Sequence, residues 1–203
     1  MAKVVPRARV VGALALALAT MSSNAFAGWQ DDASPAEIDR INQLPQIRDE
    51  ALADAKSGQG QGDPRAIATV MEPQARTIPA EALTGNWRCR QMKLGLMSPY
   101  IVYDAWFTCS IRSDGAGLLL EKTGGTQLFA GRLYPEQGAW IYLGASRVRG
   151  EPRHRYSGPP PMLGAIVTPD DQIGLLTGIG DNHLRLEIPA VQESLLDVVE
   201  FRR

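Results

Sequence analysis

The chain of 203 residues contains only two cysteines and two histidines, and that scarcity narrows the chemistry open to it. His154 and His183 are too few to build a metal centre, and Cys89 and Cys109 lack the close spacing of a zinc knuckle. The motifs of serine nucleophiles are missing too: there is no Ser-x-x-Lys spacing and no Gly-x-Ser-x-Gly elbow. Lys122-Thr123-Gly124 matches one box of the serine β-lactamases. Without a nucleophile it reads as a strand end running into a Gly-Gly hairpin. No basic excess is present, which argues against a nucleic-acid partner. The glycine-rich stretches lack the strand-turn-helix setting of a phosphate loop, and no cofactor is expected.

Long apolar runs are nearly absent as well. One occupies residues 10–19, after Lys3, Arg7 and Arg9 and before the small residues of Ala25-Phe26-Ala27. It is too short to span a bilayer and no second run follows, so residues 1–27 read as a cleaved secretory signal with no membrane span after cleavage. The expected location is periplasmic or secreted. Without the signal the chain keeps 18 basic and 22 acidic groups. An even cysteine pair in an exported chain points to a disulfide between Cys89 and Cys109.

What is present falls into two periods. Residues 28–82 read as a helical segment. Ser34-Pro35-Ala36-Glu37 is a capping box with Pro at the first helical position, and apolar residues recur at helical spacing from Ile38 to Ala55. Pro45 should kink or split this helix, and a second short helix should follow Asp63-Pro64. Residues 83–203 switch to period two and read as an antiparallel β domain. Short apolar runs at 118–122, 127–134, 140–145, 173–177, 184–188 and 198–202 are separated by turn signals, after a first strand at Trp87 and a second over residues 103–112. The pattern predicts a mainly β fold with an N-terminal α segment. About eight strands would form an antiparallel barrel or a sandwich, with the helical pair packed against it or plugging one end. Both cysteines fall on the apolar phase of their strands.

Gly85-Asn86-Trp87 resembles the G-x-W signature of lipocalin-like barrels, for which Arg185 or Arg202 would cover Trp87 from a late strand. A longer resemblance runs through Trp87-Arg88-Cys89-Arg90, Trp106-Phe107-Thr108-Cys109, Lys122-Thr123-Gly124-Gly125, Gly131-Arg132-Leu133-Tyr134-Pro135 and Glu193-Ser194-Leu195-Leu196-Asp197. In that order the chain resembles the exported bacterial family of unknown function DUF4893. The resemblance implies an envelope protein of a Gram-negative bacterium and brings no catalytic residues with it.

The binding candidates are Arg147, Arg149, Arg153, His154, Arg155 and Tyr156. They concentrate four guanidinium groups and one flat ring in a Pro-bounded loop with a single acid, Glu151. Guanidinium forks suit carboxylate, phosphate or sulfate groups, so an anionic envelope ligand or a protein partner is expected. His183 reads as an exposed turn residue. The aromatic set Trp87, Tyr103, Phe107, Trp140 and Tyr142 either fills the barrel or lines a cavity in it. The leading expectation is a non-catalytic envelope module that binds a small ligand or a protein, a lipocalin-like protease inhibitor being one version. The alternatives are a hydrolase using dispersed carboxylates such as Asp104 and Glu121, and a purely structural protein.

Overall fold

The computed structural model describes residues 1, 28–115, 117–153, 155–158, 170–190 and 192–203. The signal segment and His154 lie outside the described residues. The chain enters through a short helix, α1 (Trp29–Asp32), and then α2 (Pro35–Asn42). The capping box forms as its residues predict. Ser34 Oγ accepts the Glu37 N–H at 3.3 Å, and Glu37 Oε2 accepts the Ser34 N–H at 3.2 Å. Pro45 splits the helix as expected: α2 stops at Asn42, and α3 (Leu44–Ser57) restarts with the proline in its first turn. The second short helix is α4 (Arg65–Met71), and a single turn, α5 (Ala80–Leu83), precedes the sheet.

Among the described residues nine strands follow: β1 (Gly85–Leu94), β2 (Tyr100–Val102), β3 (Phe107–Ser113), β4 (Leu118–Lys122), β5 (Gln127–Glu136), β6 (Ala139–Val148), β7 (Asp171–Gly180), β8 (His183–Pro189) and β9 (Leu196–Arg202). Every pairing between them is antiparallel. β9 pairs with β1 from Arg88↔Arg202 to Leu94↔Leu196, so β1 and β3–β9 close an eight-stranded barrel. That closure rules out the sandwich. β2 is an additional strand hydrogen-bonded to the end of β1. The strand expected over residues 103–112 begins only at Phe107, and Tyr103 is an exposed loop residue.

Alternation sorts each strand into an inner and an outer face. Inside, one apolar cluster joins Trp87, Cys89, Cys109, Ile111, Leu120, Phe129, Leu133, Tyr142, Leu176, Leu184, Leu186, Val199 and Phe201. Cys89 and Cys109 point into it from neighbouring strands, with Trp87 directly across from Cys109, and they are joined as a disulfide with Cα atoms 5.9 Å apart. Glycine makes room here. A Cβ on Gly144 would lie 2.2 Å from Tyr142 Oη, so the tyrosine ring can lie across the barrel only because β6 carries no side chain there.

One end of the barrel is shut. Ile78, Ala80 and Leu83 pack against the apolar interior, Arg76 bridges to Gly178, and Trp140 Nε1 donates to Ile78 O at 3.0 Å. Trp87 Nε1 donates to Leu83 O at 2.8 Å, and the Arg203 guanidinium lies 3.9 Å from the centroid of the Trp87 ring. The arginine that covers the tryptophan is therefore Arg203. Arg185 and Arg202 sit in the outer phase of β8 and β9, where they pair with Glu187 and Glu200.

The helices cover the outer wall. Leu44, Ala51, Ile67, Val70 and Met71 pack on Met92, Leu94, Val198 and Leu196, while Trp29 and Ala33 pack on Ile141, Leu143 and Ile173. Buried charge on this wall is paired. Glu187 holds Arg48 and Arg185, and Glu200 holds Arg90, Arg202 and His183. His183 is thus not an exposed turn residue: it is buried beside Glu200 at 2.9 Å, and burial together with nearby Arg202 lowers its pKa. Among the described residues no helix is long and apolar enough to cross a membrane.

Candidate functional site

At the end opposite Trp87 the inner face changes character. Continuing the inward phase of β1 beyond Cys89 gives Gln91 and Lys93. The same tier receives Gln127 from β5, Ser146 from β6, Gln172 from β7 and Asp197 from β9. These residues line a cavity of about 320 Å³ whose floor is Phe129 and Ile188 and whose rim carries Arg40, Arg147, Glu151 and Glu193. Below the floor the Phe129 and Tyr142 rings meet edge to face at 6.0 Å. The barrel interior is therefore packed with mainly apolar side chains from its shut end to Phe129, and polar above.

Asp197 sits at the back of this cup and is itself buried. Ser194 Oγ donates to its Oδ1 at 2.5 Å and Gln91 Nε2 donates to its Oδ2 at 3.0 Å. Burial raises its pKa, while those two donors and Lys93 oppose the shift. Lys93, its neighbour across the β1–β9 ladder, is paired with Glu193. Burial works against the Lys93 charge, but the Glu193 and Asp197 carboxylates outweigh it and hold the pKa above the usual lysine value. One other oxygen of the lining, Gln172 Oε1, has no hydrogen-bond partner among the described residues. A buried oxygen in that state is uncommon, and it marks a place where a donor from outside the protein fits.

The loop expected to bind anions is divided by the structure among four places. Arg147 donates to Glu151 O at 3.3 Å on the rim of the cup. Arg149 donates to Gly125 O and Thr123 O, both at 2.9 Å, and so ties the loop to the β4–β5 hairpin. Arg153 and Arg155 lie over the outer wall, Arg153 pairing with Glu121 at 3.0 Å. Tyr156 turns back to the helices, where its hydroxyl donates to Glu37 and accepts the Ser34 N–H. Of the two carboxylates considered for hydrolysis, Asp104 is exposed in the loop before β3, and Glu121 is engaged by Arg153 and Arg112 on the outer wall. Of the aromatic set, Trp87, Phe107, Trp140 and Tyr142 belong to the packed interior or its edge, and Tyr103 is exposed.

Sequence reasoning missed Gln91, Lys93, Gln127, Gln172, Ser194 and Asp197. Their signal was present in negative form. The apolar alternation of β6, β7 and β9 stops short of the strand ends, at Ala145, Ile173 and Val198, and the residues beyond those points are the ones that reach the cup.

Among the described residues no group of three His, Cys, Asp or Glu side chains is placed to hold a metal ion. No curated protein and no solved structure matches the chain. One family does, described as "Domain of unknown function (DUF4893)", over residues 29–201. That span runs from the tryptophan of α1 through all the helices on the wall to the strand that closes the barrel, and the chain belongs to this family.

Proposed function

We propose that the protein is exported to the periplasm or secreted, and that its barrel is a non-catalytic module that binds a small polar ligand in the cup at the open end. The observation that carries this reading is the change of interior chemistry above Phe129. A barrel of eight strands is just wide enough for side chains to fill it, as they do in the lower half. The upper tier instead leaves about 320 Å³ open among amides, a hydroxyl and one lysine–carboxylate pair. Gln172 Oε1 lacks a donor there. Amide and carboxylate groups above an aromatic floor suit a hydroxyl- or amide-bearing molecule of monosaccharide or dipeptide size.

Binding is favoured over catalysis because the buried charged pair of the cup, Asp197 and Lys93, already has partners. Both oxygens of Asp197 accept hydrogen bonds, and Lys93 is held by Glu193. Neither of these two groups is left free to act as a base over the open volume. Ligand-observed NMR with neutral monosaccharides and dipeptides tests this. The expected result is saturation transfer to at least one of these classes, lost in Gln172→Leu, whose melting temperature should match the parent. Absence of transfer to every probe, with no small molecule found on native protein by mass spectrometry, overturns the reading.

A further inference from the structure

A second polar concavity lies on the outer wall, away from the cup. Register places its parts. Arg112 on β3 is opposite Leu119 on β4, and Leu119 is opposite Arg132 on β5, so the two arginines flank one leucine in a single row across three strands. Strands are spaced about 4.8 Å apart, which puts the two arginine Cα atoms roughly 10 Å apart with their side chains on the same face. In the next row the residue opposite Glu121 on β5 is Ala130, which is too small to fill the space between them. Arg153 and Arg155 come over this floor from the loop, with Tyr156 at the border, and enclose a groove of about 420 Å³.

The charge of this groove is out of balance. Arg132 pairs with Asp114 at 3.1 Å and Arg153 with Glu121 at 3.0 Å. Arg112 reaches the same Glu121 only at 3.9 Å, and Arg155 makes no ion pair among the described residues. Four guanidiniums thus face two carboxylates. The three paired arginines are about half exposed, so their donors are available to a ligand at little cost in desolvation.

We propose that this groove binds a phosphate monoester. Two uncompensated positive charges match the near-dianionic state of such a group at neutral pH. Planar forks from two fixed strands can hold its oxygens bidentately, and Leu119 offers an apolar floor for the ester stem. The group could belong to a soluble metabolite or to a lipid headgroup, and the two sources separate experimentally. The proposal is independent of the cup, which opens at the barrel's end and shares none of these arginines.

Calorimetry with glycerol 3-phosphate, and co-sedimentation with phosphatidylcholine vesicles with and without phosphatidic acid, form the two arms. Binding in the first identifies a soluble source; binding only to the phosphatidic acid vesicles identifies a headgroup. In either case Arg132→Gln/Arg155→Gln should weaken binding at least tenfold and flatten its dependence on salt. Glu121→Gln should strengthen it about threefold or more, since it removes a competing carboxylate. That gain cannot arise from misfolding. The proposal is overturned if the protein binds neither probe, if citrate binds as tightly as glycerol 3-phosphate, or if both variants bind like the parent.

Discussion

Removing the disulfide is the most quantitative perturbation the barrel offers. Cys89 and Cys109 are 20 positions apart, and both side chains are fully buried in the inner cluster beside Trp87 and Phe107. In the chain-entropy picture, closing a loop of that length raises the free energy of the unfolded chain by about 3 kcal/mol. The native barrel need not change, because the two strands are already hydrogen-bonded in register from Gly85↔Ile111 to Cys89↔Phe107. Cys89→Ala/Cys109→Ala should therefore fold, held by the remaining apolar interior, and melt roughly 6–12 °C lower, at the 2–4 °C per kcal/mol expected for a chain of this size. Paired thermal melts of parent and double variant measure this, with blocking of free thiols before reduction as the companion assay. No thiol should react in the native parent. A difference below about 2 °C would refute the entropic reasoning, and full labelling of both thiols would refute the bond itself.

Two further perturbations probe the ends of the barrel. Arg203→Ala removes a guanidinium stacked on Trp87 and its hydrogen bonds to Leu83 O and Thr84 O, at 2.9 and 2.6 Å. A loss of about 2 kcal/mol is expected in denaturant titration, from one cation–π contact and two partly solvated hydrogen bonds. At the open end, burial, with Arg149 nearby, lowers the pKa of Lys122 to about 8, whereas the unfolded lysine stays protonated to about 10.5. Between those values the unfolded state binds the extra proton, so the part of stability due to Lys122 rises with pH across that window and is absent below it. The melting temperature of the parent relative to Lys122→Met should accordingly rise from pH 8 to pH 10; a flat difference would refute the assignment.

How far the fold could be read in advance depended on whether local chemistry and packing agreed. The capping box at Ser34 and the split at Pro45 are local devices, set by a hydroxyl, a carboxylate and a missing N–H within a few residues, and both formed as expected. The strand Leu118–Lys122, closed off by turn signals on both sides, was recovered with its ends correct, although its inner face finishes on a buried lysine. β2 and α5 were not foreseen. Each is only three or four residues long and exists because a neighbour, β1 or the barrel mouth beneath Ile78, gives it something to bond or cover. His183 was misread because its partner, Glu200, comes from β9 and only the ladder Arg185↔Glu200, His183↔Arg202 brings them together. The cup was hidden by the rule that found the strands. Period-two apolar alternation identifies a dry interior, and the tier of Gln91, Lys93, Gln172 and Asp197 breaks that alternation on the inner face.

The seam between β1 and β9 also has a consequence for how the chain must be made. Residues 88–94 meet residues 196–202, so the strand that closes the cylinder is made after all eight of the others. Until then β1 can pair with β2 and β3, and β8 with β7, but β1 and β8 each keep a side facing no partner. A polypeptide stopped a few residues before Leu196 would hold nearly all the apolar interior and none of the closure. It would expose two unpaired borders able to recruit another copy of the same unfinished sheet. Contacts this distant along the chain also form slowly. Loss of β9 should therefore produce aggregates rather than a slightly weakened monomer.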